Sequence, residues 1–239
     1  MSQLSKNDQF VLFCLFPKEK IEKVEKESPQ VICAHLDGGL HYSIDQGNLS
    51  NAQRREIEII QGLESKSINY KKALEEMDAL IEQNSEYASA YNNRAQLKRL
   101  LYLEKKESGS EITVSLDSID TDLGRAIDLA QKDIQKTNGP HTYLARHVAA
   151  QAYTQKGWVV LTRIQVARAT KSSHEENHND ITVIGKDDSW ELEEEASRWL
   201  HLGGEYGNEY AQRAAALVNP YAKLCGQMVE RALHHEYKY

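Results

Sequence analysis

The stretch Glu86-Tyr-Ala-Ser-Ala-Tyr-Asn-Asn-Arg-Ala-Gln96 decides how this chain is read. Tyr91 and Ala95 stand one helical turn apart, a large aromatic followed by a small residue where a second helix can cross closely. Counting back 22 residues from Ala95 reaches Ala73, and Met77 and Leu80 follow it at spacings of four and three. That spacing gathers Ala73, Met77 and Leu80 into one apolar stripe, which faces the helix carrying Tyr91 and Ala95. Residues 52–101 therefore hold one full helical hairpin and half of another.

Small and aromatic residues at fixed offsets, in units of about 34 residues, are the signature of the tetratricopeptide repeat. The phase continues once insertions are allowed. Ile119, Leu123 and Ala126 repeat the spacing of Ala73, Met77 and Leu80 after 46 residues, twelve more than one period. Glu104-Lys-Lys-Glu-Ser-Gly-Ser-Glu111 accounts for the surplus as a polar loop. After the turn at Asn138-Gly-Pro140 a third unit begins, with Ala149, Ala152, Tyr153 and Gly157 in a helical run reaching Thr170. Its partner helix starts near Trp190 and runs through Leu192, Ala196, Trp199 and Leu200 to Gly203, a C-terminal stop signal. A terminal pair, Asn208 to Val218 and Tyr221 to about His234, is broken by Asn219-Pro220. A repeat stack needs such terminal cover, and Leu217, Tyr221, Leu224, Met228 and Leu233 are candidates to supply it.

The expected fold is thus all-α: a tetratricopeptide helical-hairpin solenoid of about three repeats with insertions, an N-terminal helix and C-terminal capping helices. Residues 1–51 form an N-terminal helical segment and linker. Residues 52–203 carry the repeats, with insertions near 104–111, 131–146 and 171–189, and 204–239 the capping helices and tail. All three phenylalanines, Phe10, Phe13 and Phe16, fall on one face of a seven-residue apolar run ended by Pro17. That run is far short of the ~20 residues a bilayer crossing needs. It lacks a signal peptide's basic start and small-residue cleavage site. A helix packed on the repeats is the expectation, and a segment docking into its own groove the alternative.

A formal charge of −7 and a pI near 5.7 argue against a general nucleic-acid binder. Cys14, Cys33 and Cys225, odd in number and far apart, suggest reduced thiols in the cytoplasm or nucleus rather than a disulfide or metal framework. No cofactor, no metal and no membrane insertion are expected. His174-Glu-Glu-Asn-His178 fits the H-E-x-x-H zinc pattern, yet it lies in the polar run Lys171 to Asp180 without the apolar helix such a site requires. A zinc hydrolase using His174, Glu175 and His178 is the enzymatic alternative. Glu193-Glu-Glu195 reads as a wet helix face.

The island at 86–96, taken with Tyr210-Ala-Gln-Arg-Ala-Ala-Ala-Leu-Val-Asn-Pro-Tyr-Ala-Lys-Leu-Cys225 and the early Asn7-Asp-Gln-Phe-Val-Leu12 and Phe16-Pro17, resembles the tetratricopeptide repeat protein 36 family. The three islands keep the family's order and span both ends and the middle of the chain. The resemblance implies a small three-repeat protein without catalytic activity, an Hsp70-type chaperone as partner and a connection with control of tyrosine metabolism. Repeat domains that grip chaperone tails resemble one another in a clamp of Lys, Asn and Arg around terminal carboxylates. Asn93 matches the clamp asparagine. Glu58 and Gly62 stand where a Lys and an Asn belong, and Gln155 where a Lys or Arg belongs, so the carboxylate clamp is not matched.

Repeat phase puts the first helix of each unit on a concave groove that exposes Ser89, Asn92, Gln96 and Arg99, then Gln151, Thr154 and Trp158. The partner-binding candidates are Asn92, Asn93, Gln96, Arg99, Gln155 and Trp158. Arg99 and Trp158 lead because arginine and tryptophan are common binding hot spots. In the competing reading Trp158 packs on a neighbouring helix, Arg99 is a solvated charge, and Asn92 and Asn93 bond between repeats. The expected activity is a non-catalytic adaptor or scaffold that holds a protein or peptide. A subunit fixed in a larger complex is the alternative.

Overall fold

The computed structural model describes residues 50–109, 111, 113–136, 140–172 and 189–236. Among them are eight α-helices and no strand: α1 Asn51–Glu64, α2 Tyr70–Gln83, α3 Ala88–Ser108, α4 Leu116–Lys136, α5 Pro140–Ser172, α6 Ser189–Glu205, α7 Glu209–Val218 and α8 Pro220–Glu236. The helix boundaries follow local chemistry. Ser50 and Gln53 exchange side-chain and backbone hydrogen bonds in a capping box at the start of α1. Asn69 and Asn208 accept from the backbone N–H three residues on and open α2 and α7. Gly109, with φ 64°, takes the left-handed position that closes α3. Pro220 opens α8 under the Asn219 side chain, which accepts from the N–H groups of Tyr221 and Ala222.

Each helix packs mainly on its neighbours in sequence, and α3 also reaches α5. Small residues set the crossings. In the first layer Ala73, Met77 and Leu80 of α2 close on Ile59, Ala90 and Leu97. In the second, Ala95 meets Ile119, Leu123 and Ala126 of α4 and Ala149, Ala152 and Tyr153 of α5. Tyr91 packs partly in both layers, so the aromatic and small positions of the sequence reading fall where two cores join. Leu200, Ala211, Ala214 and Ala215 bury a third cluster between α6 and α7. The described helices pack on their neighbours in sequence with alanine at the contact points, which lets backbones approach and brings dispersion contacts to full value.

Several details differ from the sequence reading. Glu104–Ser108 belongs to α3, because Gly109 rather than the charged run provides the stop; the loop is correspondingly shorter. The 131–146 insertion is mostly helix, since α4 continues to Lys136 and α5 starts at Pro140. Gly203 does not end α6, which runs on to Glu205. A Cβ there would stand 2.6 Å from Thr154 Oγ1 and 3.2 Å from the Ala150 carbonyl, so this glycine permits α6 to lie against α5. Glu193–Glu195 is half-buried rather than wet. Glu193 accepts from Lys223 of α8 at 2.9 Å, and Glu195 from the Trp199 indole at 3.1 Å. Tyr221, Leu224 and Met228 are exposed and do not supply the terminal cover expected of them. The Phe10–Phe16 run, the 138–140 turn up to Pro140, Cys14 and Cys33, and most of the 171–189 insertion, including His174, Glu175 and His178, lie outside the described residues.

Gly157 makes a second close crossing of α5 and α6 testable. A Cβ at that position would meet Leu200 Cγ at 2.6 Å, whereas one at Gly124 meets nothing within 4 Å. Gly157→Ala is expected to lower stability by about 1–3 kcal/mol through overpacking, and Gly124→Ala to raise it by about 0.5–1 kcal/mol through helix propensity. Urea unfolding of both variants checks the pair.

Candidate functional site

The buried stripe of α1 is Ala52, Glu56 and Ile59, so a carboxylate occupies the apolar face of an amphipathic helix. Glu56 is only 7% exposed and its oxygens are fully engaged. Tyr87 Oη donates to Oε2, Asn93 Nδ2 donates to Oε1 at 2.8 Å, and Ser89 adds a further side-chain bond. The relay continues inward. Asn92 Nδ2 donates to Asn93 Oδ1 at 3.3 Å, and Gln155 Nε2 of α5 donates to Asn92 Oδ1 at 2.9 Å. Six side chains thereby tie α1, the start of α3, and α5 into one polar seam through the interior.

Burial pushes the Glu56 carboxyl above its ordinary range, against the three hydrogen bonds, which favour the ionised form. Burial, with the charge of Glu56 beside it, raises the Tyr87 phenol as well. A second seam lies on the opposite side of α3. Arg94 grips Asp122 of α4 with two nitrogens and reaches Asp78 of α2 at 2.8 Å, while Lys98 Nζ approaches Asp122 at 2.8 Å. The α4 carboxylates Asp117 and Asp120 are in turn held by Arg163 and Lys156 of α5 at 2.8 and 2.7 Å. Asp122 is the buried member of this set, and removal of its cationic partners would leave its carboxylate desolvated, whereas Asp117 is exposed and its pair with Arg163 is a surface contact.

Beside the first seam, α1, the α1–α2 turn and α3 enclose an open cleft of about 720 Å³. Its floor is apolar, made by Ile59, Leu63, Ile68, Leu97 and Leu100, and its wall carries the Asn93 and Gln96 amides. This floor suits the apolar side chains of a bound segment.

Of the six residues expected to line a groove, the structure brings Asn93 and Gln96 to this cleft. Asn92 and Gln155 are buried and bonded to each other, an interhelical tie rather than a display surface. Arg99 is buried, 7% exposed, which corrects its assignment as an exposed anchor. Trp158 is half-buried and stacks on Tyr210 of α7 with ring centroids 6.3 Å apart. Thr154 is fully buried, donating to the Ala150 carbonyl and accepting from Asn208. The clamp asparagine, Asn93, gives its amide hydrogen to the chain's own Glu56, the bond a ligand carboxylate would otherwise take. Glu56 and the cleft leucines were missed by sequence reasoning. The legible signal was a glutamate at the i+4 position of the α1 apolar stripe. Among the described residues no group of three His, Cys, Asp or Glu side chains could hold a metal ion, and no helix is long and apolar enough to cross a membrane.

These features define an all-helical protein of consecutively packed helices, with an internal polar seam and an apolar cleft at its N-terminal end. The chain is 32% identical to the L-tyrosine degradation gene cluster protein hmgX of Aspergillus fumigatus over 257 aligned positions, covering 98% of this chain and 93% of the relative. It belongs to the family of that fungal protein. It is also similar to human tetratricopeptide repeat protein 36, at 27% identity over 236 positions covering 93% of this chain and 90% of the human one. No protein-family model matches the chain, and no solved structure matches it.

The Glu56 shift has a defined sign. A carboxyl whose folded pKa lies above its unfolded value contributes stability that is present below the unfolded pKa and lost as pH rises through the folded one. Glu56→Gln removes that contribution while keeping an amide that can bond to Tyr87 and Asn93. The stability of the native protein relative to Glu56→Gln is therefore expected to fall as pH rises from the ordinary carboxylate range toward neutrality and beyond. Urea unfolding across that range checks it, and a rising difference would contradict the assignment.

Proposed function

We propose that this chain is a tetratricopeptide-type helical-hairpin solenoid that works as a non-catalytic scaffold, holding a segment of another protein in the cleft between α1 and α3. The observation that carries the reading is the cleft itself: an apolar floor of Ile59, Leu63, Leu97 and Leu100 beneath the amides of Asn93 and Gln96. Asn93 is already committed to Glu56, and the apolar floor is the main source of affinity in this reading.

The partner is proposed to be a protein of L-tyrosine degradation, in the cytoplasm or nucleus. The fungal relative's name places that protein in an L-tyrosine degradation gene cluster, and its similarity spans nearly the whole of both chains. Against an Hsp70-type tail as the ligand stand Glu58, Gly62 and Gln155 at the clamp positions, together with the engagement of Asn93 by Glu56.

The test is calorimetric titration of the purified protein with each purified enzyme of L-tyrosine degradation, beside Leu100→Glu. Leu100 is only half-buried in the cleft floor, so the variant is expected to fold with native helicity. One enzyme should bind the native protein and bind Leu100→Glu at least about tenfold more weakly. Equal binding to both would exclude the cleft, and binding of none would exclude the partner class.

A further inference from the structure

The last helix has an apolar face on the wrong side. Ala222 and the buried Pro220 and Gly226 turn toward the rest of the molecule, anchored by the Lys223–Glu193 ion pair. Tyr221, Leu224, Cys225, Met228 and Val229 recur at the i, i+3, i+4, i+7, i+8 spacing of a single helix face, and all five are exposed. Met228 is 61% exposed and Tyr221 54%. Trp190 of α6 extends the patch, its ring edge-on to Tyr221 with centroids 5.2 Å apart. Lys223, Gln227 and Arg231 occupy the remaining arc, so α8 has a polar side available and still shows its apolar one. The exposed parts of these large side chains amount to roughly 500 Å².

We propose that this stripe is the interface between two copies of the chain, joined by antiparallel packing of α8 on α8 of the second copy. The arrangement of residues is self-complementary, as a two-fold interface requires. Reversed about the midpoint between Leu224 and Cys225, Tyr221 falls opposite Met228 of the second copy and Leu224 opposite Cys225. The ring–thioether and aliphatic contacts formed are favourable. Among the described side chains of α8 the charged ones, Lys223 and Arg231, lie outside the stripe. Two-fold doubling of the patch brings the buried area to about 1,000 Å², the lower bound for a specific interface.

Sedimentation equilibrium of the full chain tests this, with Met228→Glu in the stripe and Gln227→Glu on the polar arc as its control. The native protein and Gln227→Glu should be dimers and Met228→Glu a monomer of unchanged helicity. In a Cys14→Ser, Cys33→Ser background, a short bismaleimide should join two chains through Cys225. A native protein still monomeric at about 100 µM would overturn the proposal and assign the stripe to residues 1–49 or to another protein. Dimeric Met228→Glu, or a dimer that Cys225 cannot cross-link, would overturn it equally.

Discussion

The bond from Asn93 to Glu56 is the constraint on which the rest of the N-terminal half depends. A carboxyl group buried on the core side of α1 is costly unless its oxygens are satisfied, and α3 supplies what it needs from Tyr87, Ser89 and Asn93. Once Asn93 donates outward, its oxygen must accept from Asn92, and Asn92 must in turn accept from Gln155. Each amide has its orientation forced by the one before it. Helices α1, α3 and α5 are far apart in sequence, and this relay gives them one compatible register. The cleft exists because α1 is held at that distance from α3.

Packing acts alongside this seam by a different route. Alanines 73, 90, 95, 126, 149 and 152 are almost wholly buried and leave no side chain to separate the helices that cross over them. Gly157 and Gly203 extend the same device to the contact of α5 with α6. Close approach then makes the Arg94–Asp122 pair possible, since its bidentate geometry needs α3 and α4 within reach of one guanidinium. Small residues set the separation, and polar seams on either side of α3 set the register.

The layers of the fold were legible because they rest on spacing. Ala73, Met77 and Leu80 and their echo at Ile119, Leu123 and Ala126 are patterns a helix imposes on sequence, and they bury as that pattern requires. Ends and partners were less legible. The charged run after Tyr102 stayed helical because lysine and glutamate are good helix formers and Gly109 is the first residue to favour the left-handed turn. Gly203 looked like a stop because glycine serves two purposes, and only the proximity of Thr154 reveals that here it makes room. The groove suffered most. Repeat phase identifies which way a side chain leaves its helix, but not whether another helix stands there. Asn92, Arg99 and Gln155 therefore proved buried, while Asn93 and Gln96 reached the cleft.

The proposed scaffold role rests on a surface left open among the described residues, the cleft floored by Ile59, Leu63, Leu97 and Leu100. Hydrogen–deuterium exchange of the full chain, with and without the enzymes of L-tyrosine degradation, tests that claim most directly. Protection is predicted in residues 59–70 and 93–104, with α6 and α7 unchanged. Protection confined to other helices, or none with any of the enzymes, would contradict the account.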